Sequence, residues 1–332
     1  MTKMQLTPQQ AIELVTEAFG AAGMPSALAR PAAHALVLAE QEGLPSHGLA
    51  RAPFYAAQMR TGKVIANAAP VVQRDGAVIR VDAGFGLAFA AIEEGAKAAR
   101  DVARELGVAI VSVTHSHHFG VAGQAVEPFA REGLVALALA NAPAAMAPWG
   151  GNRALYGTNP IAFAAPRMAG DPLVIDLSLS HVARGKVMLA QKAGQPIPAD
   201  WALDIHGNPT TDPTAAMAGT MLPTGGAKGA ALALMVELLS AGLAGANFGY
   251  AASSLFDDVG PAPDLAHFIL VLDPARFAPG FTERAEAMLS AIEAQEGARL
   301  PGARRMAERA ARRDTIEIPR QLHDTLAGLA KT

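Results

Sequence analysis

The densest set of reactive side chains lies between Pro45 and Tyr55, PSHGLARAPFY. It supplies a hydroxyl (Ser46), an imidazole (His47), a guanidinium (Arg51) and a phenol (Tyr55), separated by Gly48 and by Leu49, Ala50, Ala52 and Phe54. A guanidinium can grip a carboxylate with two parallel hydrogen bonds. An imidazole can move a proton near neutral pH. If Gly48 opens a helix, Arg51 and Tyr55 are four residues apart and share a face, with Ser46 and His47 at its mouth. The same residues also suit a surface helix with an N-cap serine and a solvated arginine, so the neighbouring elements must decide.

Thr7-Pro8-Gln9-Gln10 reads as a helix start, with Thr7 as cap, Pro8 in the first turn and Gln10 reaching back. Gly23-Met24-Pro25-Ser26 breaks that helix, and a second runs from Ala27 to about Glu42. The region up to residue 70 is therefore expected to be helical. From Val71 the period changes. A strand at Ala77–Val81, a glycine turn at Gly84–Gly86 and a helix over 88–106 invite a dinucleotide-binding reading. The usual fingerprint needs a third glycine where this chain has Phe89, and the next strand, Val108–Val113, runs into Thr114-His115 rather than an acidic residue. A standard Rossmann site is not expected. A helix over 121–132 and strands at Leu134–Leu139, Ile161–Ala164, Leu173–Leu177 and His267–Leu272 continue an α/β layer pattern. Residues 194–227 read as a long irregular excursion, of the kind that forms lids and site walls. The helix from Lys228 to about Ala244 is apolar on most faces and is expected to be central. Three regions follow: helical residues 1–70 carrying the Ser46–Arg51 motif, an α/β cofactor-binding region over 71–275, and a helical region over 276–332 packing back on the first.

His115, His117 and His118 crowd the end of a strand. Neighbouring strand side chains point to opposite faces, so they do not make a metal cluster, and no matching carboxylate motif accompanies them. No metal is expected. Polar groups beyond the carboxyl end of a strand suit a cofactor better. Gly225-Gly226-Ala227-Lys228-Gly229 places a lysine and free amides at a helix head, which suits an anion; ordinary capping would look the same. The arginine-rich stretch Arg299–Arg313 could clasp a phosphate or be a solvated face.

Composition narrows the classes. Half the residues are hydrophobic and 17% are charged, so a large core is expected. A net charge of −3 gives no general attraction to nucleic acid or to an anionic membrane. With no cysteine, disulfides, thiolate metal sites and a cysteine nucleophile are excluded. The N-terminus lacks a signal-peptide pattern and no apolar run is long enough to span a bilayer, so a cytoplasmic enzyme is the expectation.

Seven motifs in order resemble one family: SHGLAR at Ser46–Arg51, HHFG at His117–Gly120, GTNPIAFAAP at Gly157–Pro166, DLSLSHVARGK at Asp176–Lys186, GNPTTDP at Gly207–Pro213, GGAKG at Gly225–Gly229 and LPGARR at Leu300–Arg305. Together they resemble the type-2 malate/L-lactate dehydrogenases. That resemblance implies a non-Rossmann nicotinamide-binding α/β fold with a mixed, largely antiparallel sheet, a helical N-terminal region, and a homodimer. Within the family, the histidine-rich motif, Val126–Leu137 and the GTNP segment resemble the Δ1-piperideine-2-carboxylate/Δ1-pyrroline-2-carboxylate reductases. The implied reaction is NADPH-dependent reduction of these cyclic imino acids to L-pipecolate and L-proline, with NADH as second cofactor candidate. The alternative is a 2-hydroxyacid dehydrogenase acting on malate, lactate or a ureidoglycolate-like acid. The resemblance implies Ser46 and His47 as relay and proton donor, Arg51 as carboxylate clamp, and Thr158, with Tyr55, at the substrate. It implies cofactor contacts at Thr114, His115, Ser116, His117, His118, Asp176, Leu177, Ser178, Ala227, Lys228, Gly229, Arg304 and Arg305. Lys186 stands where those reductases carry a relay aspartate, and lysine is the commoner choice in the wider family. Ala303 replaces the usual glutamate beside the cofactor ribose or phosphate, which by electrostatics favours NADPH.

Overall fold

A computed structural model describes residues 2–331. Strand β1 (Lys3–Leu6) precedes helix α1 (Pro8–Ala21), whose start forms the expected reciprocal cap. The Thr7 hydroxyl accepts from the Gln10 amide, and the Gln10 side chain accepts from the Thr7 amide. Helix α2 (Ser26–Gln41) follows, then a turn, a short 3₁₀ segment at Leu49–Arg51 and helix α3 (Ala52–Thr61). The apolar sides of α1, α2 and α3 bury Val15, Phe19, Leu36, Val37 and Tyr55 together.

The sheet begins with β2 (Val71–Asp75) and β3 (Val78–Asp82). Helix α4 (Ala88–Leu106) crosses to β4 (Val108–Ser116), making the sheet's one parallel pair, β3–β4. Helix α5 (Gly123–Arg131), β5 (Val135–Ala140), β6 (Ile161–Ala165) and β7 (Leu173–Leu177) come next. Helix α6 (Arg184–Ala193) leads into the excursion. That stretch is less irregular than expected, since it holds β8 (Ala202–Leu203) paired with β9 (Thr220–Met221) and the short helix α7 (Pro213–Ala218). The Asp212 carboxylate caps α7 at Thr214 N, a local signal the glycine-proline bias concealed. Helix α8 (Ala227–Glu237) continues as a π-turn over Leu238–Gly242. Strand β10 (Leu265–Leu272), helices α9 (Phe281–Glu293) and α10 (Ala303–Ala311), strand β11 (Ile316–Pro319) and helix α11 (Arg320–Leu329) complete the chain.

Seven strands run in the order β2-β3-β4-β10-β5-β6-β7, antiparallel except for β3–β4. The sheet is thus mixed and largely antiparallel, as expected. Helices α4 and α5 pack on one face with Val111, Val113, Phe129 and Ile269. The other face packs Leu139 and Phe268 against Met146, Leu179 and α8. Phe89, where a dinucleotide fingerprint would want glycine, is a packing residue: a Cβ on Gly120 would meet its ring. β11 pairs with β1, so the chain's last elements return to the first.

Helix α8 corrects one expectation. It does not bury all its apolar sides: Leu232, Leu234, Met235, Leu238 and Leu243 stand open along it and its π-turn. Apolarity all round shows that a helix wants covering, but not that the same chain covers it. Among the described residues no helix is long and apolar enough to cross a membrane.

Candidate active site

The Ser46–His47 turn is shaped by Glu40, near the end of α2. Its carboxylate accepts the Leu49 amide at 2.8 Å, and a Cβ on Gly48 would collide with that carboxylate. Burial raises the Glu40 carboxyl above its ordinary range, against the lowering effect of the Leu49 amide and Arg312. The turn leaves Ser46 exposed, with its hydroxyl 3.0 Å from His47 Nδ1. The 3₁₀ segment then carries Arg51 inward. Arg51 is 7% exposed, its Nε donates to the Ser46 carbonyl at 2.9 Å, and its Nη1 is buried with no partner.

Tyr55 lies one turn on in α3, fully buried. Its hydroxyl sits 2.7 Å from His118 Nδ1. Burial pushes the phenol up to about 12, with Arg51 pulling the other way, and burial, helped by Arg51 and His47, holds the His118 imidazole well below its ordinary value. Two neutral arrangements satisfy this contact: the phenol donates to Nδ1 with the imidazole proton on Nε2, or Nδ1–H donates to the phenol oxygen. The His118 ring stacks on His47 with centroids 5.5 Å apart. His117 meets Tyr55 edge-on at 5.4 Å and has both ring nitrogens buried without partners. Burial, then the Arg51 charge, lowers His47 to about 4; burial, Arg51, Lys63 and His267 lower His117 to about 3.

Two residues of the motif, His47 and Tyr55, thus meet the histidines just past β4: both meet His118, and Tyr55 also meets His117. His115 turns away: in a left-handed conformation (φ 48°) it bonds Asp82 at 3.0 Å. Thr114 has its hydroxyl buried and unpartnered. Ser116 bonds His267 on the neighbouring strand β10 at 3.1 Å. His267 was missed in the sequence, although a lone histidine opening an apolar strand is itself a signal. Also missed was Glu237 in α8, whose buried carboxylate accepts from Asn159, Gly157 and Gly249 and so fixes the turn bearing Thr158.

A second group forms around Arg305 in α10. Its guanidinium lies 3.7 Å from the carboxylates of Glu42, Glu127 and Asp176, without a hydrogen bond from any nitrogen. Arg309 binds the first two directly. Asp176 also accepts the Gly123 amide at 2.7 Å. Arg305 is therefore countered by carboxylates, while Arg304 stays exposed. Leu177 is exposed, and the Ser178 hydroxyl turns to Ser180. Lys186 in α6 and Ala227 and Lys228 at the head of α8 are exposed, with Gly229 tucked against the Thr224 carbonyl. No contact joins Lys186 to Ser46 or His47 within the described residues.

The polar atoms left unsatisfied fit a polar ligand. The Thr114 hydroxyl, both His117 nitrogens and Arg51 Nη1 are buried donors or acceptors without partners, and such groups are costly unless something pairs them. The arrangement can hold an anion at Arg51 and exchange a proton at His47.

A sequence profile described as malate/L-lactate dehydrogenase matches residues 6–327. The chain belongs to the malate/L-lactate dehydrogenase family. It is 58% identical over 330 residues to a (2R)-3-sulfolactate dehydrogenase (NADP(+)) of Chromohalobacter salexigens, covering 99% of each chain. It is 40% identical over 304 residues to a Δ1-pyrroline-2-carboxylate/Δ1-piperideine-2-carboxylate reductase of Pseudomonas syringae pv. tomato, covering 91% of this chain and 89% of the relative. The crystal structure of the Δ1-piperideine-2-carboxylate reductase from that species superposes with a TM-score of 0.92 at 38% identity, covering 98% of this chain and 99% of the other.

Proposed function

We propose that this protein is an NADP-dependent 2-hydroxyacid dehydrogenase acting on a small acid of the sulfolactate type. The observation that carries the reading is the convergence of Ser46, His47 and Arg51 on one turn, with an unpartnered guanidinium nitrogen facing inward. The sequence alone put the imine reductase first. A 58% relative over the whole chain, set against reductases at 40%, reverses that order. The imine reductase remains the second reading, supported by the 0.92 superposition on the reductase structure. Lys186 in place of the relay aspartate weighs against it.

The chemistry follows from the side chains. Arg51 grips the substrate carboxylate in the plane of its guanidinium, which fixes the adjacent carbon. His47 is neutral at physiological pH. With Nδ1–H donating to the Ser46 hydroxyl, the Nε2 lone pair is free to accept the substrate hydroxyl proton as the carbon gives up hydride. In the reverse direction the same nitrogen returns the proton. A bound nicotinamide supplies the hydride acceptor, and the unpaired groups at Thr114 and His117, with Lys228 and Arg304 further off, are the residues we assign to holding it. For the subunit arrangement we propose a homodimer that covers the open apolar side of α8. Its test is the sedimentation behaviour of Leu238→Lys, expected to be monomeric.

The deciding assay is a panel of (2R)-3-sulfolactate, malate, lactate and ureidoglycolate with NADP⁺ and NAD⁺, and of Δ1-pyrroline-2-carboxylate and Δ1-piperideine-2-carboxylate with NADPH and NADH. Highest kcat/KM on a hydroxy acid with NADP⁺ is the expected result. Preference for the cyclic imines would overturn it in favour of the second reading.

A further inference from the structure

The loop from Ser253 to Gly260 is more than 200 residues from Arg51 in sequence, yet it is fastened to the helix that Arg51 leads. Gln58 Nε2 donates to the Asp257 carbonyl at 2.8 Å, and the Thr61 hydroxyl donates to the Asp258 carbonyl at 3.0 Å. Lys63, just past α3, has no exposed side-chain surface. Its ammonium reaches the Ser254 carbonyl at 2.7 Å, the Val259 carbonyl at 2.9 Å, the Asp257 carbonyl at 3.2 Å and the Asp257 carboxylate at 2.9 Å. Inside the loop, the Ser254 hydroxyl accepts the Phe256 amide and the Asp257 carboxylate accepts the Val259 amide. A buried ammonium needs such a cage to be tolerated. The loop in turn is fixed in one conformation along one side of α3.

What this grip delivers is Phe256. Its ring centroid lies 4.4 Å from the Arg51 guanidinium carbon, and Phe54 braces it edge-on at 6.3 Å. A guanidinium donates only in its own plane. A ring over its face therefore removes no donor, but confines a long side chain that otherwise has many rotamers. The single side-chain bond of Arg51, from Nε to the Ser46 carbonyl, leaves the far edge to be oriented by something else.

We propose that the Ser253–Gly260 loop is the wall of the substrate-carboxylate seat, in which Phe256, held by Lys63, positions Arg51 edge-on to the acid. The inference rests on Arg51 being the carboxylate clamp. Phe256 and Lys63 are positioning residues: they act through Arg51.

The test compares Phe256→Ala, Phe256→Tyr, Lys63→Met and Arg51→Ala with the unaltered protein. KM and kcat are measured for the best acid of the panel, together with KM for NADP⁺, on samples whose melting shows them folded. Phe256→Ala is expected to raise the KM for the acid about tenfold, with kcat and the NADP⁺ KM within about twofold, and Phe256→Tyr to restore it. Lys63→Met should shift the acid KM in the same direction; should it not fold, the two Phe256 variants decide. An unchanged acid KM in Phe256→Ala, while Arg51→Ala raises it, overturns the wall and leaves the clamp standing. Equal changes in both KM values, or a loss of kcat alone, would make Phe256 merely structural and also overturn the inference. An unchanged KM in Arg51→Ala removes the clamp itself.

Discussion

Acid should unfold this protein through its buried histidines. His47 titrates at about 4, and His117 and His267 at about 3, each lowered first by burial. In the unfolded chain all three return to about 6.5. The unfolded state therefore takes up each proton first as pH falls. The stability these groups leave intact above pH 6.5 is lost progressively down to the folded values near 3 to 4. Each histidine that is protonated only when unfolded costs about 1.4 kcal/mol per pH unit, and with His118, which burial also holds well below its ordinary value, the four together cost about 6 kcal/mol per unit. A typical domain has only ~5–15 kcal/mol in hand. Glu40, Asp176, Glu237 and Asp264 work in the opposite direction. Burial raises each of them, so the folded state takes their protons first and regains part of the loss. A difference measurement removes this offset. His267→Gln keeps an amide near the Ser116 hydroxyl, which the imidazole now meets at 3.1 Å, and deletes one titrating group. Urea unfolding at fixed protein concentration, at pH 8, 7, 6 and 5, should give a stability slope shallower by about 1.4 kcal/mol per pH unit below pH 6 in the variant. Parallel slopes would show that His267 is protonated in the folded protein and would refute the buried-neutral assignment.

Arg51→Ala should raise the Michaelis constant for carboxylate substrates about a hundredfold, on the scale of ~3 kcal/mol for a lost charge-assisted pair; an unchanged constant removes the clamp. His47→Ala should lower kcat by roughly 10²–10⁴-fold with a smaller effect on binding. In the unaltered protein, kcat/KM for hydroxy-acid oxidation should stay level from pH 8 towards 5 and fall on an acid limb near 4, because the proton acceptor must be neutral. A limb near 7 that vanishes in the variant would contradict the lowered imidazole. Tyr55→Phe strips the 2.7 Å partner from His118 and should cost about 1–3 kcal/mol of stability in a denaturant titration; wild-type stability there would argue that His118 finds another partner.

The sequence carried more of the fold than of the site. Helix caps such as Thr7 and the apolar strands around Val111 and Ile269 announce themselves locally, because the signal lies within a few residues. The strand order does not. Nothing local says that β10 inserts between β4 and β5, and so nothing says that His267 arrives beside Ser116. The cluster Ser46-His47-Arg51-Tyr55 was visible because it is contiguous. Phe256, Lys63 and the carboxylates around Arg305 were hidden because their partners lie far away in sequence. Arg305 shows the cost: its place in an arginine-rich turn suggests a free phosphate clasp, whereas Glu42, Glu127 and Asp176 surround it.

The electrostatics of the site also favour one division of labour. Burial first, and the Arg51 charge second, keep the stacked imidazoles of His47 and His118 neutral, so positive charge is concentrated on Arg51, whose Nη1 has no partner. An incoming carboxylate neutralises that charge. On the proposed assignment it would weaken the second of the two causes that depress His47, the Arg51 charge, and make the imidazole a better proton acceptor once the acid is seated. On that assignment substrate binding would prepare its own base, while a neutral analogue lacking the carboxylate would leave His47 as it is. The apparent acid limb for oxidation should accordingly lie higher in kcat, which reports the substrate-bound enzyme, than in kcat/KM, which reports the free one. Coincident limbs in the two profiles would mean that Arg51 and His47 are not coupled through the substrate, and that the carboxylate binds elsewhere.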